Sequence, residues 1–147
     1  MADNTNEADF RRLMDEGFNQ GRLDVVDELV SPTFEEHQPR GPGMPVRGQD
    51  AVKAVIQSLR ASFPDIHYAI DDLAVDGDQV WARLKATATQ TGPFMGHEPT
   101  GRSMAIDVID ITRFENGRMV EHWGVPDRLG AMLQLGLVPG APAAKGV

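Results

Sequence analysis

The side chains that could move protons in this sequence are four histidines and a larger set of carboxylates. No two of the histidines, at positions 37, 67, 97 and 122, have the spacing of paired metal ligands. Cysteine is absent, which excludes disulfides, thiolate nucleophiles and cysteine zinc sites. Neither glycine-rich phosphate-binding motif occurs. The residues that remain are suited to acid–base chemistry, and their spacing predicts no metal site.

Two of these groups occupy positions typical of functional residues. His37 lies where a helical segment enters a loop rich in proline and glycine, and such loops often contact ligands. Asp127 lies between an apolar strand and a short helix, so it is either the N-cap of that helix or a catalytic base, and the two roles are compatible. Asp107 interrupts another apolar strand, either as an outward-facing residue or as part of a site.

Helices in the first half of the chain and strands in the second must position these side chains. Apolar residues at helical spacing predict helices near residues 6–20, 24–31 and 50–63, and a loop at residues 35–49. Alternation then predicts strands at 66–75, 79–91, 103–114 and 118–125, with a hairpin at Asn116-Gly117 and a short final helix.

Helices followed by antiparallel strands indicate an α+β fold. With few helices to cover long strands, we expect three N-terminal helices on a strongly curved antiparallel sheet, forming a cone with an internal apolar cavity that binds a small hydrophobic molecule. We predict one domain over residues 6–139 and a flexible tail at 140–147. The strand face that carries Trp81 is left uncovered, which predicts a homodimer or homotetramer.

The charge balance limits the partners that this protein can have. The chain of 147 residues has a formal net charge of −8, which opposes binding to nucleic acid or to anionic membranes. No apolar run approaches the roughly 20 residues of a membrane span, and the polar first residues are unlike a signal peptide. We therefore expect a cytoplasmic protein.

The second half of the chain resembles a known family. Residues 110–123, DITRFENGRMVEHW, followed by Asp127 and by Gln134-Leu135-Gly136, are similar to the SnoaL-like polyketide cyclases, also called ester cyclases. Shorter pieces upstream agree in order and spacing, among them Phe63-Pro64-Asp65 and Pro99-Thr100-Gly101. The resemblance extends from about residue 10 to residue 139.

This resemblance implies a fold like that of nuclear transport factor and an intramolecular aldol condensation of a polyketide-like substrate, without metal or cofactor. It also implies that Asp127 is the acid–base residue. Many relatives have histidine where this chain has Gln90, which cannot titrate but can hydrogen-bond a carbonyl. We predict that Asp127 is catalytic, and that His37, Gln90, Asp107 and Trp123 contact the substrate.

Two alternatives remain open from the sequence. The same fold hosts isomerases and epoxide hydrolases, and a hydrolase of that kind would require two carboxylates bridged by an arginine, such as Asp107, Asp127 and Arg113. The chain could also be a binding protein with an inert cavity. Polyketide synthase genes beside this gene, in a pathway of secondary metabolism, would favour the cyclase.

Overall fold

The computed structural model describes residues 4–142 and residue 144, and the predicted tail therefore falls partly outside the described residues. The elements, in chain order, are α1 (Asn4–Arg12), a π-helical segment (Leu13–Asn19), α2 (Asp24–Leu29), β1 (Val30–Glu36), α3 (Gly48–Ser62), β2 (His67–Asp76), β3 (Gln79–Thr89), β4 (Ser103–Glu115), β5 (Arg118–Pro126) and α4 (Arg128–Gln134). No helix among them is long and apolar enough to cross a membrane. The described residues confirm the α+β class.

The five strands within the described residues form one sheet, in the order β1-β5-β4-β3-β2. Strands β2 to β5 are antiparallel neighbours at the positions that alternation predicts. The tight turn between β4 and β5 confirms the hairpin, because Asn116 and Gly117 both have positive φ, at 51° and 75°.

Strand β1 corrects two predictions. Its residues were expected to end a helix and begin a loop, but they pair in parallel with β5, and the sheet is therefore mixed rather than purely antiparallel. Pro32 lies within β1. Proline has no backbone N–H to donate, and it is tolerated here because β1 is an edge strand with a neighbour on one side only. This strand carries Glu36 towards the protein interior.

The inner face of the sheet packs against the helices. Alternate residues of β3, from Val80 to Ala88, are buried, as their spacing predicts. They meet the apolar side of α3, where Val52 and Ile56 are buried. They also meet Phe10, Leu13 and Met14, where α1 leads into the π-helical segment. Burial of these side chains is the main force that holds the helical layer on the sheet.

The outer face of the sheet carries large apolar side chains that the described residues leave exposed. Trp81, Ile109 and Val125 are exposed by 45%, 40% and 69%. They lie on three adjacent strands: Trp81 pairs with Ile111, two residues from Ile109 on the same face of β4, and Ile109 pairs with Val125. Exposed large apolar side chains on one face of a sheet are typical of a surface that contacts another protein.

We therefore expect the protein to form a homodimer or homotetramer through this outer face. Light scattering at micromolar concentration should give a mass at least twice that of the chain. Trp81→Asp should shift the population towards monomer, because a charge would be buried in the contact. Leu129→Asp, at an exposed leucine on α4, is the matched control and should leave the mass unchanged. A monomeric wild-type protein would refute the expectation.

Candidate active site

A pocket of about 440 Å³ lies between the helices and the inner face of the sheet. Its walls are mostly apolar, with side chains such as Phe10 and Leu59 from the helical layer and Ile106 and Val108 from β4. Six ionisable side chains also line it, and three of them, Glu36, Asp110 and His122, lie in contact with one another. A largely apolar pocket with a few converging polar groups is the usual form of a small-molecule site.

The three ionisable groups are joined by hydrogen bonds centred on His122. Its Nδ1 lies 2.8 Å from Glu36 Oε1, and its Nε2 lies 3.0 Å from Asp110 Oδ1. Arg40 extends the cluster, with its Nη2 2.6 Å from Glu36 Oε2. The side chains of Glu36 and Asp110 are only 2% and 12% exposed. Two carboxylates and two cations thus balance inside the pocket.

Strand pairing brings these groups together. Glu36 of β1 lies opposite His122 of β5, and His122 lies opposite Thr112 of β4, two residues from Asp110. The register shifts where Phe114 pairs with Met119 and Arg113 pairs with Glu121, so Val120 is an extra residue in β5. This bulge lets Met119 and His122, three positions apart, both line the pocket.

Gly124 provides the space that the cluster requires. A Cβ at this position would overlap Gln38 Oε1 and would lie 2.7 Å from His122 Cε1 and 3.0 Å from Asp110 Oδ1. The glutamine could move aside, but the imidazole is held on both sides by carboxylates. A glycine opposite Asp110 is therefore a condition for the observed hydrogen bonds.

The surroundings of His122 determine its protonation. Burial would lower the pKa of His122, but the hydrogen bonds and charges of Asp110 and Glu36 outweigh burial and raise it to about 10. Burial would raise the pKa of Glu36, but His122, the Gln38 backbone N–H and Arg40 together lower it. At neutral pH, His122 is thus an imidazolium that donates to both carboxylates.

The free energy of unfolding should fall as the pH rises from about 6.5 to about 10. Folded His122 keeps its proton over this range while the unfolded chain loses it, so the stabilisation is complete below pH 6.5 and is lost towards pH 10. The loss amounts to about 1.4 kcal/mol for each unit by which the pKa is raised. Denaturant unfolding at a series of pH values would measure it.

This pH range is favourable for the measurement because the chain has no cysteine that would titrate within it. Burial, followed by the charge of Asp110, raises the pKa of Tyr68 above its ordinary value of 10. Ionisation of Tyr68 therefore affects the free energy of unfolding only at higher pH. His122→Gln should flatten the alkaline slope, and His67→Gln, at an exposed histidine, should preserve it. An unchanged slope in His122→Gln would contradict the assignment.

Asp127, the predicted catalytic residue, is exposed and does not belong to the pocket lining. Its Oδ1 accepts a hydrogen bond of 2.9 Å from the backbone N–H of Gly130, which makes it the N-cap of α4. The structure thus shows the capping role that the sequence left open. A catalytic role for Asp127 stays a prediction, and its placement does not bring it to the pocket cluster.

His37 and Trp123 are brought together, but on the protein surface. Their rings stack with centroids 4.8 Å apart, and His37 Nε2 lies 2.7 Å from Glu121 Oε2. Arg113 holds the other oxygen of Glu121. Neither His37 nor Trp123 lines the pocket, so this surface group is separate from the pocket cluster.

Gln90 and Asp107 also lie away from the pocket lining. Gln90 is fully buried, and its amide binds the carbonyl oxygens of Gly92 and Glu98 and accepts from the backbone N–H and hydroxyl of Thr100. Its hydrogen-bonding capacity is thus used to close the loop after β3. Asp107 points outward and pairs with Lys85 at 2.7 Å.

An epoxide hydrolase of the kind considered above would require two carboxylates bridged by an arginine, and Asp107, Asp127 and Arg113 do not form this arrangement. Asp107 pairs with Lys85, Asp127 caps α4, and Arg113 binds Glu121. One group within the described residues could offer three atoms to a metal, namely Glu35, His37 and Glu121, within 4.8 Å of one another. Arg47 and Arg113 already pair with its two carboxylates, so its charge does not favour a cation.

The sequence contains a signal for one of the residues that the prediction missed. Met104, Ile106 and Val108 alternate on the buried face of β4, and continuing the alternation places Asp110 there and Asp107 on the outside. A carboxylate on the buried face of a strand is a stronger candidate than one on the outer face. Glu36 had no comparable signal, because β1 itself was not predicted.

Comparisons with known proteins agree with this fold. The aklanonic acid methyl ester cyclase DnrD of Streptomyces peucetius is 29% identical over 136 residues, 88% of this chain and 90% of DnrD. The structure of TsrD from Streptomyces laurentii has a TM-score of 0.84 at 27% identity, covering 94% of this chain and 99% of TsrD. That of IdmH from Streptomyces antibioticus has a TM-score of 0.78 at 32% identity, covering 89% and 98%.

Fold and pocket together define an α+β protein with a hydrogen-bonded cluster of two carboxylates, a histidine and an arginine inside a mostly apolar pocket. The profile of the SnoaL-like polyketide cyclases matches residues 8–135, most of the chain. The chain belongs to the SnoaL-like polyketide cyclase family. Relatives named as aklanonic and nogalonic acid methyl ester cyclases support a cyclase function and therefore an enzyme.

Proposed function

We propose that this protein closes a ring in a polyketide-like substrate by an intramolecular aldol condensation that needs no cofactor. The observation that carries the proposal is the cluster of Asp110, His122 and Glu36 in an otherwise apolar pocket. A carboxylate can remove the proton that forms an enolate, and a fixed cation beside it can stabilise the negative charge of that enolate. The pocket would hold the folded substrate with its reacting atoms close together.

Asp110 is the proposed base. Its Oδ1 accepts the hydrogen bond from His122, and no described residue donates to its Oδ2. Asp110 Oδ2 would take a proton from a carbon between two carbonyl groups, and the electron pair of the broken C–H bond would form the enolate. The enolate carbon then bonds to a second carbonyl carbon of the same molecule. The resulting alkoxide takes back the proton, and the product is an isomer of the substrate.

His122 is the proposed electrostatic partner rather than the base. It keeps its proton at neutral pH, because the two carboxylates raise its pKa to about 10. Its positive charge lies beside the base and would favour the negative enolate. Glu36 is a positioning residue that fixes the imidazole through Nδ1, and Arg40 in turn holds Glu36.

The names of the relatives suggest the class of substrate. DnrD is named for a methyl ester of aklanonic acid. We propose a substrate of similar kind, with an apolar polyketide framework and an esterified carboxyl group. An ester removes a negative charge that would otherwise be buried close to Asp110 and Glu36, at a high cost in desolvation.

The proposal is tested by incubating the purified protein with aklanonic acid methyl ester in the presence of EDTA. We expect the substrate to disappear and a product of identical mass to form, as an intramolecular aldol reaction requires. Loss of activity in EDTA would refute cofactor independence. Binding of the ester without any conversion would instead identify a binding protein with an inert pocket.

A further inference from the structure

Tyr68, the only tyrosine of the chain, lines the pocket from β2. Its backbone is held by Asn19, which accepts from the Tyr68 N–H at 2.8 Å and donates to the Tyr68 carbonyl at 3.0 Å. Its ring packs edge-on against Phe18, with the centroids 5.6 Å apart. These contacts fix both the backbone and the ring, so the phenol is held in place before any ligand arrives.

The hydroxyl of Tyr68 has no hydrogen-bond partner in the part of the chain that the structure describes, and it is not a fully buried atom because Tyr68 borders the pocket. A tyrosine that is largely covered by protein normally finds such a partner. The neighbouring hydroxyl of Ser62 does so, because it donates to the Pro93 carbonyl. Tyr68 is therefore a rigid, unused donor in the wall of the pocket.

The position of Tyr68 complements that of Asp110. Tyr68 lies opposite Ala86 on β3, and Ala86 lies opposite Ile106 on β4, four residues before Asp110 on the same face. The small side chain of Ala86 leaves the space above this part of the sheet open. The charge of Asp110 contributes to the raised pKa of Tyr68, after burial, so the two groups are within electrostatic range and the phenol stays protonated.

We propose that the Tyr68 hydroxyl donates a hydrogen bond to a carbonyl oxygen of the substrate, the oxygen that becomes negative when Asp110 removes the proton. This inference rests on the proposed function and adds the donor that the enolate requires. The ligand that it predicts is an apolar aromatic ketone that lies between β2 and β4. Tyr68 would then select for a carbonyl group as well as stabilise the enolate.

Binding of two small probes tests the inference without any turnover. The probes are 2-acetonaphthone, an aromatic ketone, and 2-ethylnaphthalene, which has nearly the same shape but no oxygen. Tyr68→Phe should weaken binding of the ketone about fivefold, the size of one neutral hydrogen bond, and leave the hydrocarbon unaffected. Since the hydroxyl has no partner to lose, we expect the variant to keep its melting temperature.

A second measurement uses the unaltered protein. With the tyrosine ring labelled with ¹³C at Cζ, one signal reports on Tyr68 alone, because the chain has no other tyrosine. The ketone should move this signal further than the hydrocarbon does. Equal shifts from the two probes, or equal binding of the ketone to wild type and to Tyr68→Phe, would overturn the role of Tyr68 and leave the proposed function intact. If wild type bound neither probe, this inference would be rejected, while the proposed function would still be decided by turnover of the methyl ester.

Discussion

Asp110→Asn should lower the turnover of a cyclisable substrate by a factor of about 100 or more, the usual contribution of a general base. Asparagine has the shape of aspartate and can still accept the hydrogen bond from His122 Nε2. It cannot take a proton from carbon. The loss should therefore appear in kcat, while substrate binding and the folded structure are largely preserved.

Asp127→Asn is the matched control, because it makes the same chemical change outside the pocket. Asparagine caps a helix about as well as aspartate, so α4 should keep its stability. We expect near-normal turnover from this variant. If Asp127→Asn lost activity and Asp110→Asn kept it, the prediction made from the family resemblance would be restored and the proposed base would be rejected.

Gly92→Ala should be the most destabilising single methyl addition in the loop after β3. A Cβ at this position would overlap the backbone carbonyl oxygen of Ala61 and lie 3.0 Å from its carbonyl carbon. The obstacle is the backbone at the end of α3, which cannot rotate away as a side chain can. We expect a loss of about 3 kcal/mol, at the upper end of the usual cost of overpacking.

Gly41→Ala is the control for this effect. It lies in an exposed loop, a Cβ there meets nothing within 4 Å, and its backbone φ is not positive. The same methyl group should leave stability unchanged or raise it slightly, because alanine restricts the unfolded chain. Thermal unfolding of both variants measures the difference. A melting temperature for Gly92→Ala close to that of wild type would show that α3 and the loop separate easily.

Local patterns were sufficient for much of the fold. The alternation along β3 identified its buried face, since a strand covered on one side must alternate. Asn116-Gly117 identified the hairpin, because both residues tolerate positive φ. The helical stripe of α3 was equally clear, because its apolar face had to be covered by the sheet.

The pocket cluster required information that no local pattern contains. Glu36 belongs to a strand that exists through its pairing with β5, far along the chain. The orientation of His122 depends on the extra residue in β5, and one such residue reverses every face assignment that follows. The catalytic role of Asp127 was predicted from the family resemblance and stays a prediction, while the structure shows its side chain capping α4.

The parallel pairing of β1 with β5 also determines when the pocket can form. The contact between Glu36 and His122 joins residues 86 positions apart, so the entropy of closing a long segment of chain must be overcome first. The antiparallel pairs β2–β3, β3–β4 and β4–β5 close much shorter segments of chain and should therefore form earlier. During synthesis, Glu36 cannot bind His122 until β5 has left the ribosome. The acid–base cluster is thus among the last parts of the molecule to assemble.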